Sequence, residues 1–458
     1  VVGAMVPLLV GGLGVAAILL TIYLLAQVVD LSIFVLNLAT MLGLGLAIDY
    51  SLFVTSRFRE ELARHPGDIE TAVVRSVVFF SGMTVLTGLA GLALFDFLFL
   101  RSVGIAGAIV VAYSVLAALT LLPAVLGVIG PRIDSGRLFR RTTTESSRDR
   151  GFWAQLSRWV MAHPLVVLGP TLAFLIALGL PFRHVNVSSP DATILPRDLP
   201  SRRALDVLAA EYGPGEVSPF VIAVQSQTSI FTPEHIGALY DLTEWLRRDP
   251  RIVRVQSIAA FDETVSREQA IALTPIRWRL GQLGAAGRVG RLANERTAVI
   301  LAYSRSFANT PENKELLKAL RAYHLSGDLT MLVGGGTAEI VDTVRVMYAE
   351  FPKAVGLIII ATYGILLLLF RSVVLPLKAI IMNTLSILAS YGALVYIFQD
   401  GHFSRILNFT PLGFVEASLP IIMFCILFGL SMDYEVFLLS RVKEEWERTH
   451  DNTLSVAS

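Results

Sequence analysis

The chain has 458 residues, of which 54% are hydrophobic and only 16% are charged, and its mean hydropathy is +0.64. Soluble domains carry roughly 25% charged residues, so this composition indicates a membrane protein. The formal net charge of +1 argues against nucleic-acid binding, and the single cysteine, Cys425, excludes an internal disulfide framework and a cysteine-based metal cluster.

Long apolar segments predict the membrane spans, since a spanning helix needs about 20 mostly apolar residues. The qualifying segments are 4–28, 33–56, 77–98, 102–129, 164–182, 354–370, 374–398 and 417–440. The predicted organisation is a four-span bundle at 1–129, a cytoplasmic linker at 130–162, a single span at 163–182, a polar domain at 183–352, a three-span bundle at 353–440 and a cytoplasmic tail at 441–458.

The distribution of basic residues predicts the orientation in the membrane. If the spans simply alternate, the main clusters of Lys and Arg all fall on one side. These residues are Arg57, Arg59, Arg64, Arg132, Arg137, Arg140, Arg141, Arg148, Arg371, Lys378, Arg441, Lys443 and Arg448. Because the basic side of a membrane protein is cytoplasmic, the 183–352 domain should be extracytoplasmic.

The polar domain contains two similar strand-helix-strand patterns. Apolar runs typical of strands occur at 219–225, 252–258, 296–303 and 329–333, and helical patterns occur at 233–248 and 311–324. Pro233 and Pro311 stand where the first turn of a helix accepts proline. Two such units in tandem predict a ferredoxin-like α/β domain. The sequence between them, at 262–290, carries no clear pattern.

An internal repeat links the second and eighth predicted spans. Residues 45–61 read GLAIDYSLFVTSRFREE and residues 429–445 read GLSMDYEVFLLSRVKEE, with a constant offset of 433 − 49 = 384. The shared positions follow the helical period and therefore lie on one face of each helix. Both copies run from outside to inside, which predicts a parallel pseudo-repeat. Transporters with internal repeats commonly place coupling sites at the repeat interface.

The repeat places an Asp-Tyr pair inside each of these two spans. A charged Asp near the centre of a spanning helix costs about 2.5–3.5 kcal/mol, so a matched pair of them indicates a function. Such a carboxyl can load and release protons as water access changes, and a Tyr hydroxyl can stabilise it or pass the proton on. Asp49, Tyr50, Asp433 and Tyr434 are therefore the candidate proton relay. The structural alternative is a static hydrogen bond between helices.

The relay predicts a particular geometry. Asp and Tyr are adjacent in each motif and point about 100° apart, so neither is well placed to bond its own neighbour. If the two motif helices meet about a pseudo-two-fold axis, Asp49 reaches Tyr434 and Asp433 reaches Tyr50, at about 2.5–3.0 Å. Glu435 and Ser81 are candidate accessory groups, although neither belongs to the repeated set.

The motif spans GLGLAIDYSLFVTSRFREEL and FGLSMDYEVFLLSRVKEEW resemble those of the MmpL family of the resistance-nodulation-division (RND) superfamily, as do LPSRRALDVLAAEYGPG at 199–215, VGGGTAEIVD at 333–342, FRSVVLPLKAIIMN at 370–383 and NFTP at 408–411. The resemblance implies a bacterial inner-membrane protein with twelve spans and two extracytoplasmic domains, of which this chain would be a fragment inactive by itself. It also implies proton-driven export or flipping of lipids or amphiphilic small molecules, with the Asp-Tyr pairs as relay. Transport would be driven by the proton gradient, and no cofactor is expected. The sequence does not decide whether the protein forms a homo-oligomer.

One departure from the family pattern and two other classes of protein limit this interpretation. The family often has Gly-Arg before the third span, whereas this chain reads Arg75-Ser76. A non-transporting lipid- or sterol-sensing protein, or a protein-translocation accessory of the same superfamily, is the first alternative. An intramembrane aspartyl protease is the second, but the Asp-Tyr order and the intervening domain argue against it. No nucleotide-binding motif is present in the sequence, so ATP drive has no support.

Overall fold

Apolar helices dominate the structure, a computed structural model that describes residues 2–64, 80–130, 152–260, 264–282 and 292–457. Among these residues, seven helices are long and apolar enough to cross a membrane. The predicted span at 77–98 is represented by a shorter apolar helix, and its first residues lie outside the described part of the chain. The chain forms two compact units, Val1–Asn186 with Met347–Ser458, and Val187–Val346.

The first unit, called here the membrane unit, is built from helices. Before the second unit these are α1 Val2–Leu25, α2 Phe34–Arg64, α3 Phe80–Ala90 with a 3-10 turn at Gly91–Leu94, α4 Leu98–Leu119, α5 Leu121–Ile129, α6 Phe152–Ala162 and α7 Pro164–Gly179 with a 3-10 turn at Leu180–His184. After it these are α14 Val374–Leu394 with a π-helical end at Val395–Gln399, α15 Ser404–Leu407, α16 Ser418–Thr449 and α17 Asn452–Ala457.

The second unit, called here the α/β unit, contains the four main strands. They are β2 Phe220–Gln225, β3 Ile252–Gln256, β4 Thr297–Ser304 and β5 Thr330–Gly334. Of the two-residue strands, β1 Val187–Ser188 belongs to this unit and β6 Val415–Glu416 belongs to the membrane unit. Its helices are α8 Pro200–Tyr212, α9 Pro214–Val217, α10 Pro233–Arg248, α11 Arg267–Gln282 and α12 Pro311–Ala322, together with a 3-10 turn at Ala192–Ile194. Helix α13, Gly336–Phe370, begins in this unit and continues into the membrane unit.

The sheet of the α/β unit is antiparallel, with strand order β3-β4-β2-β5. Ile222 in β2 pairs with Ile300 in β4 and with Val333 in β5. Alternate residues of β2 are buried, as expected for a strand with one face on a core. The apolar faces of α10 and α12 supply the other side of that core, chiefly through leucines.

Helices α10 and α12 begin as the sequence predicts. Each starts with a proline, Pro233 or Pro311, at the first helical position. The threonine before each proline, Thr232 or Thr310, accepts a hydrogen bond from the backbone amide three residues further on. A proline has no amide hydrogen to satisfy at this position, and a threonine cap satisfies another exposed donor, so the two residues together fix the start of the helix.

In the membrane unit, α2 packs against α1 and α4, and α16 packs against α3 and α14. One buried apolar cluster around α2 includes Ile18, Leu46, Tyr50, Leu89 and Val110. A motif tyrosine, Tyr50, is therefore part of the helix-packing core.

Several elements differ from the sequence expectation. Helix α13 runs unbroken from Gly336 to Phe370, so the predicted boundary at 352/353 falls inside a helix that contains Pro352. Helix α11 occupies part of the region at 262–290 that carries no clear pattern. Helix α6 lies at the end of the predicted linker, and α17 lies in the predicted tail.

Candidate functional site

The four candidate relay residues lie on two long helices, α2 and α16, that meet through side-chain contacts. Asp49 and Tyr50 are in the second half of α2, and Asp433 and Tyr434 are in the middle of α16. The Tyr434 hydroxyl donates a hydrogen bond to Oδ2 of Asp49 at 2.9 Å. This is the contact and the distance that the pseudo-two-fold argument predicts, so the two copies of the motif do meet across the repeat.

The second pair is more deeply buried. Asp433 and Tyr50 are each only 4% exposed, whereas Tyr434 is 59% exposed. The Tyr50 hydroxyl interacts with the Asp433 carboxyl. Oδ1 of Asp433 nevertheless has no hydrogen-bond partner among the residues that the structure describes. The two pairs are therefore unequal in burial and in hydrogen bonding, which the symmetric prediction did not anticipate.

This inequality has a physical cost. A buried polar atom without a hydrogen bond loses its interactions with water and gains nothing in return, typically about 1–3 kcal/mol and more when the group is charged. A carboxyl can reduce that cost by holding a proton. Asp433 is thus the deeply buried carboxyl of the four-residue site, and Asp49 is the carboxyl that accepts the hydrogen bond from Tyr434.

Two further contacts join the same helices toward their C-terminal ends. The rings of Phe53 and Phe437 are stacked with centroids 3.8 Å apart. These two residues are repeat equivalents, because 437 − 53 = 384, so the pseudo-two-fold axis passes between them. About one turn further along, Arg57 forms an ion pair with Glu444 at 2.9 Å. The Asp49–Tyr434 bond, the aromatic pair and the ion pair thus form a ladder of three contacts along α2 and α16.

Helix α3 holds α16 in place through a close approach of backbones. A methyl group added to Gly88 would lie 2.7 Å from the Cys425 carbonyl oxygen and 3.1 Å from the Gly429 Cα. A methyl group added to Gly429 would lie 3.2 Å from the Val85 Cα. Glycine therefore sets the separation of these helices, as small residues do where membrane helices pack tightly. Cys425, next to this crossing, is buried.

Of the two accessory candidates, Glu435 is the one whose side chain the structure describes. Glu435 is half-buried, and among its neighbours the charged group that acts on it is Lys378 of α14. The side chain of Ser81 lies outside the described residues, as does the Arg75-Ser76 position. Within the described part of the chain, no group of three or more His, Cys, Asp or Glu residues could hold a metal ion.

Two contacts made by these helices were not predicted from the sequence. Asn383 in α14 is buried, and its amide nitrogen donates to the Phe428 carbonyl of α16 at 3.1 Å, which fixes the position of α16 about one turn before Asp433. An amide within an apolar span could have identified it. Glu444 was also missed, although its repeat equivalent, Glu60, is a retained position. Arg57 was counted only among the basic residues that predict the orientation in the membrane.

The fold and the site define a polytopic membrane protein whose duplicated helices exchange Asp-Tyr contacts. The chain belongs to the MMPL family, which it matches over residues 1–167 and 193–458, and so to the RND superfamily. The family assignment made from the motif spans is confirmed.

Individual relatives match the chain over nearly its whole length. It is 32% identical to a putative membrane protein of Streptomyces coelicolor over 99% of this chain and 57% of the relative. It is 31% identical to the trehalose monomycolate exporter MmpL3 of Mycobacterium tuberculosis, over 98% of this chain and 48% of MmpL3. It is 29% identical to the membrane protein YdfJ of Bacillus subtilis, over 96% of this chain and 56% of YdfJ. The chain therefore spans about half the length of these relatives, and the predicted multi-pass membrane location is confirmed.

A solved structure shows the same fold. The hedgehog release protein Disp of the water bear Hypsibius dujardini superimposes with a TM-score of 0.63 and 13% identity, over 100% of this chain and 61% of the Disp chain. At this identity the likeness establishes the helical arrangement alone.

Proposed function

We propose that this chain forms part of a proton-driven exporter or flippase of lipids or amphiphilic small molecules in the bacterial inner membrane. The observation that carries the proposal is the 2.9 Å bond from Tyr434 to Asp49 across the repeat, beside the buried and incompletely hydrogen-bonded Asp433. The name of the mycobacterial relative, a trehalose monomycolate exporter, supports a lipid-type cargo.

In this mechanism the two Asp-Tyr pairs carry the proton and couple it to helix movement. Protonation of Asp49 removes the charge that the Tyr434 hydroxyl stabilises, which weakens the uppermost of the three ladder contacts. Protonation of Asp433 lets its carboxyl donate a hydrogen bond as well as accept one. Helices α2 and α16 therefore have different preferred spacings in the loaded and unloaded states, and a proton gradient drives the exchange between them.

The α/β unit is the proposed extracytoplasmic domain of ferredoxin-like type. A pocket of about 220 Å³ lies within it, lined by apolar side chains such as Leu205, Phe307 and Ile340 and by hydroxyls such as Ser218 and Thr343. Sites for drug-sized ligands usually measure about 300–1,000 Å³. This pocket is too small to enclose a whole lipid, so cargo would have to contact additional surfaces.

The proposal is tested with a strain that lacks the full-length gene. We expect its surface-exposed lipid fraction to lose at least one lipid class, which returns with the wild-type gene but not with the Asp433→Asn gene. A protonophore should produce the same loss in the wild-type strain. An unchanged surface lipid profile in the deletion strain would argue for a sensing or translocation-accessory protein. If the deletion strain loses a surface lipid class but the protonophore-treated wild-type strain does not, export is not driven by the proton gradient.

A further inference from the structure

The connection between α14 and α16 presents an unusual apolar surface. Ile406 is 80% exposed, Phe403 is 55% exposed and Leu407 is 54% exposed, and Phe398 and Leu412 beside them are exposed as well. We call these five residues the 398–412 patch. Isolated exposed apolar residues are common, but a cluster of large ones on a short connection marks a surface that meets a membrane or another molecule.

The patch lies at a definite depth in the membrane. Lys378, four residues after the start of α14, is the last charged residue before Gln399, which ends the π-helical extension of α14, 399 − 378 = 21 residues later. At 1.5 Å per residue this is about 30 Å, the thickness of the hydrocarbon core. With the orientation that the basic residues predict, the residues that follow Gln399 would lie in the headgroup layer of the outer leaflet, where apolar side chains reach the acyl chains below them.

Polar contacts at the same level fix the start of this connection. His184, at the end of the turn after α7, pairs with Asp400 at 3.0 Å. The Gln399 side chain accepts a hydrogen bond from the Asn186 amide at 2.7 Å and donates one to the His184 carbonyl at 3.1 Å. Polar groups gather where water and lipid headgroups can reach them, so their position agrees with the helix-length argument.

The connection is ordered so that its apolar side chains point outward. Tyr396 stacks on His402 with ring centroids 3.8 Å apart, and the His402 ring also bonds the Tyr396 carbonyl at 2.9 Å. Phe403 and Asn408 adopt left-handed backbone conformations, with φ of 64° and 54°. That conformation is strained for a residue such as Phe403, and it persists only where surrounding contacts over-determine it. The exposure of the patch is thus built into the turn.

A single cation accompanies the patch. Arg405 is exposed between Phe403 and Ile406, and within the described residues it makes no hydrogen bond or ion pair. An arginine at the membrane surface beside inserted apolar side chains matches a phospholipid, with its phosphate above and its acyl chains below. We propose that the 398–412 patch and Arg405 form a docking surface for outer-leaflet phospholipid, with a preference for anionic headgroups.

The first test measures where the patch lies. Ile406→Cys is made in a Cys425→Ala background, spin-labelled, and reconstituted in phosphatidylethanolamine–phosphatidylglycerol vesicles, with Lys318→Cys in the α/β unit as an aqueous control. We expect the label at 406 to collide several-fold more with oxygen than with a water-soluble nickel complex, and the label at 318 to show the reverse. A nickel-dominated label at 406 would overturn the proposal. So would a label shielded from both reagents, because that result indicates protein covering the patch.

The second test identifies the occupant. A photo-reactive benzoylphenylalanine at position 406 should capture labelled phosphatidylglycerol several-fold more than labelled phosphatidylcholine. In Arg405→Gln this ratio should fall to parity, while Lys318→Gln, which also loses one positive charge, should leave it unchanged. Equal capture of the two lipids in the wild-type background would remove the headgroup preference. Capture of a second protein chain in place of lipid would overturn the docking surface itself.

Discussion

Replacing Asp433 or Asp49 with asparagine in the full-length protein is expected to lower transport about 100-fold or more, the usual scale for removing a proton-transferring group. Asparagine keeps the size and the hydrogen-bonding ability of the side chain but cannot titrate. Helix packing around α2 and α16 should therefore persist while the coupling is lost. The measurements are the surface-lipid profile of the complemented deletion strain and the amount of monodisperse protein recovered from its membranes.

A suitable control is Glu447→Gln, which removes an exposed carboxyl near the C-terminal end of α16. Its contact is a 3.9 Å pair with Lys443, a surface ion pair of the kind that contributes little. We expect normal transport and normal protein yield from this variant. Normal export by either aspartate variant would eliminate the relay assignment, and equal loss of protein yield would show that the aspartates act in folding alone.

Gly88→Ala is expected to destabilise the membrane unit by about 3 kcal/mol, a large effect for one methyl group. The added carbon would lie 2.7 Å from the Cys425 carbonyl oxygen, and backbone on both sides prevents a local adjustment. Helix α3 would have to move away from α16, which displaces the helix that carries Asp433 and Tyr434. The expected result is a lower melting temperature in detergent, together with reduced transport.

The matched control for this variant is Gly356→Ala, a glycine in the middle of α13. No atom lies within 4 Å of the added carbon at that position. Alanine is favoured over glycine in a helix interior by about 1 kcal/mol, so Gly356→Ala should be neutral or slightly stabilising. If Gly88→Ala behaves like Gly356→Ala in thermal unfolding, the close contact between α3 and α16 is not a determinant of stability.

The sequence predicts the membrane helices and the site because both rest on local signals. Apolar length identifies the spans, and the constant offset between Asp49 and Asp433 identifies the two helices that must meet. The direction of Asp and Tyr around a helix then predicts the crossed contact, which is found between Tyr434 and Asp49. Threonine and proline likewise predict where α10 and α12 begin, since capping depends only on neighbouring residues.

Other features could not be read from the chain because they depend on tertiary surroundings. A proline usually interrupts a helix, yet Pro352 lies inside α13. The unequal burial of Tyr50 and Tyr434, which are repeat equivalents, could not be predicted from two motifs that both read Asp-Tyr. The ion pair between Arg57 and Glu444 joins residues 387 positions apart. It could not be predicted because a basic residue at the end of a span is already explained by the membrane boundary.

Proton exchange by the two aspartates is the central claim, and infrared difference spectroscopy of the full-length protein in lipid tests it most directly. Spectra recorded between acidic and alkaline pH should contain bands of protonated carboxyl groups. One set of these bands should disappear in Asp49→Asn and another in Asp433→Asn, while Glu447→Gln keeps both. Tyr434→Phe should shift the Asp49 bands alone, because it removes the 2.9 Å hydrogen bond to that carboxyl. Carboxyl bands that remain unchanged in both asparagine variants would contradict the relay.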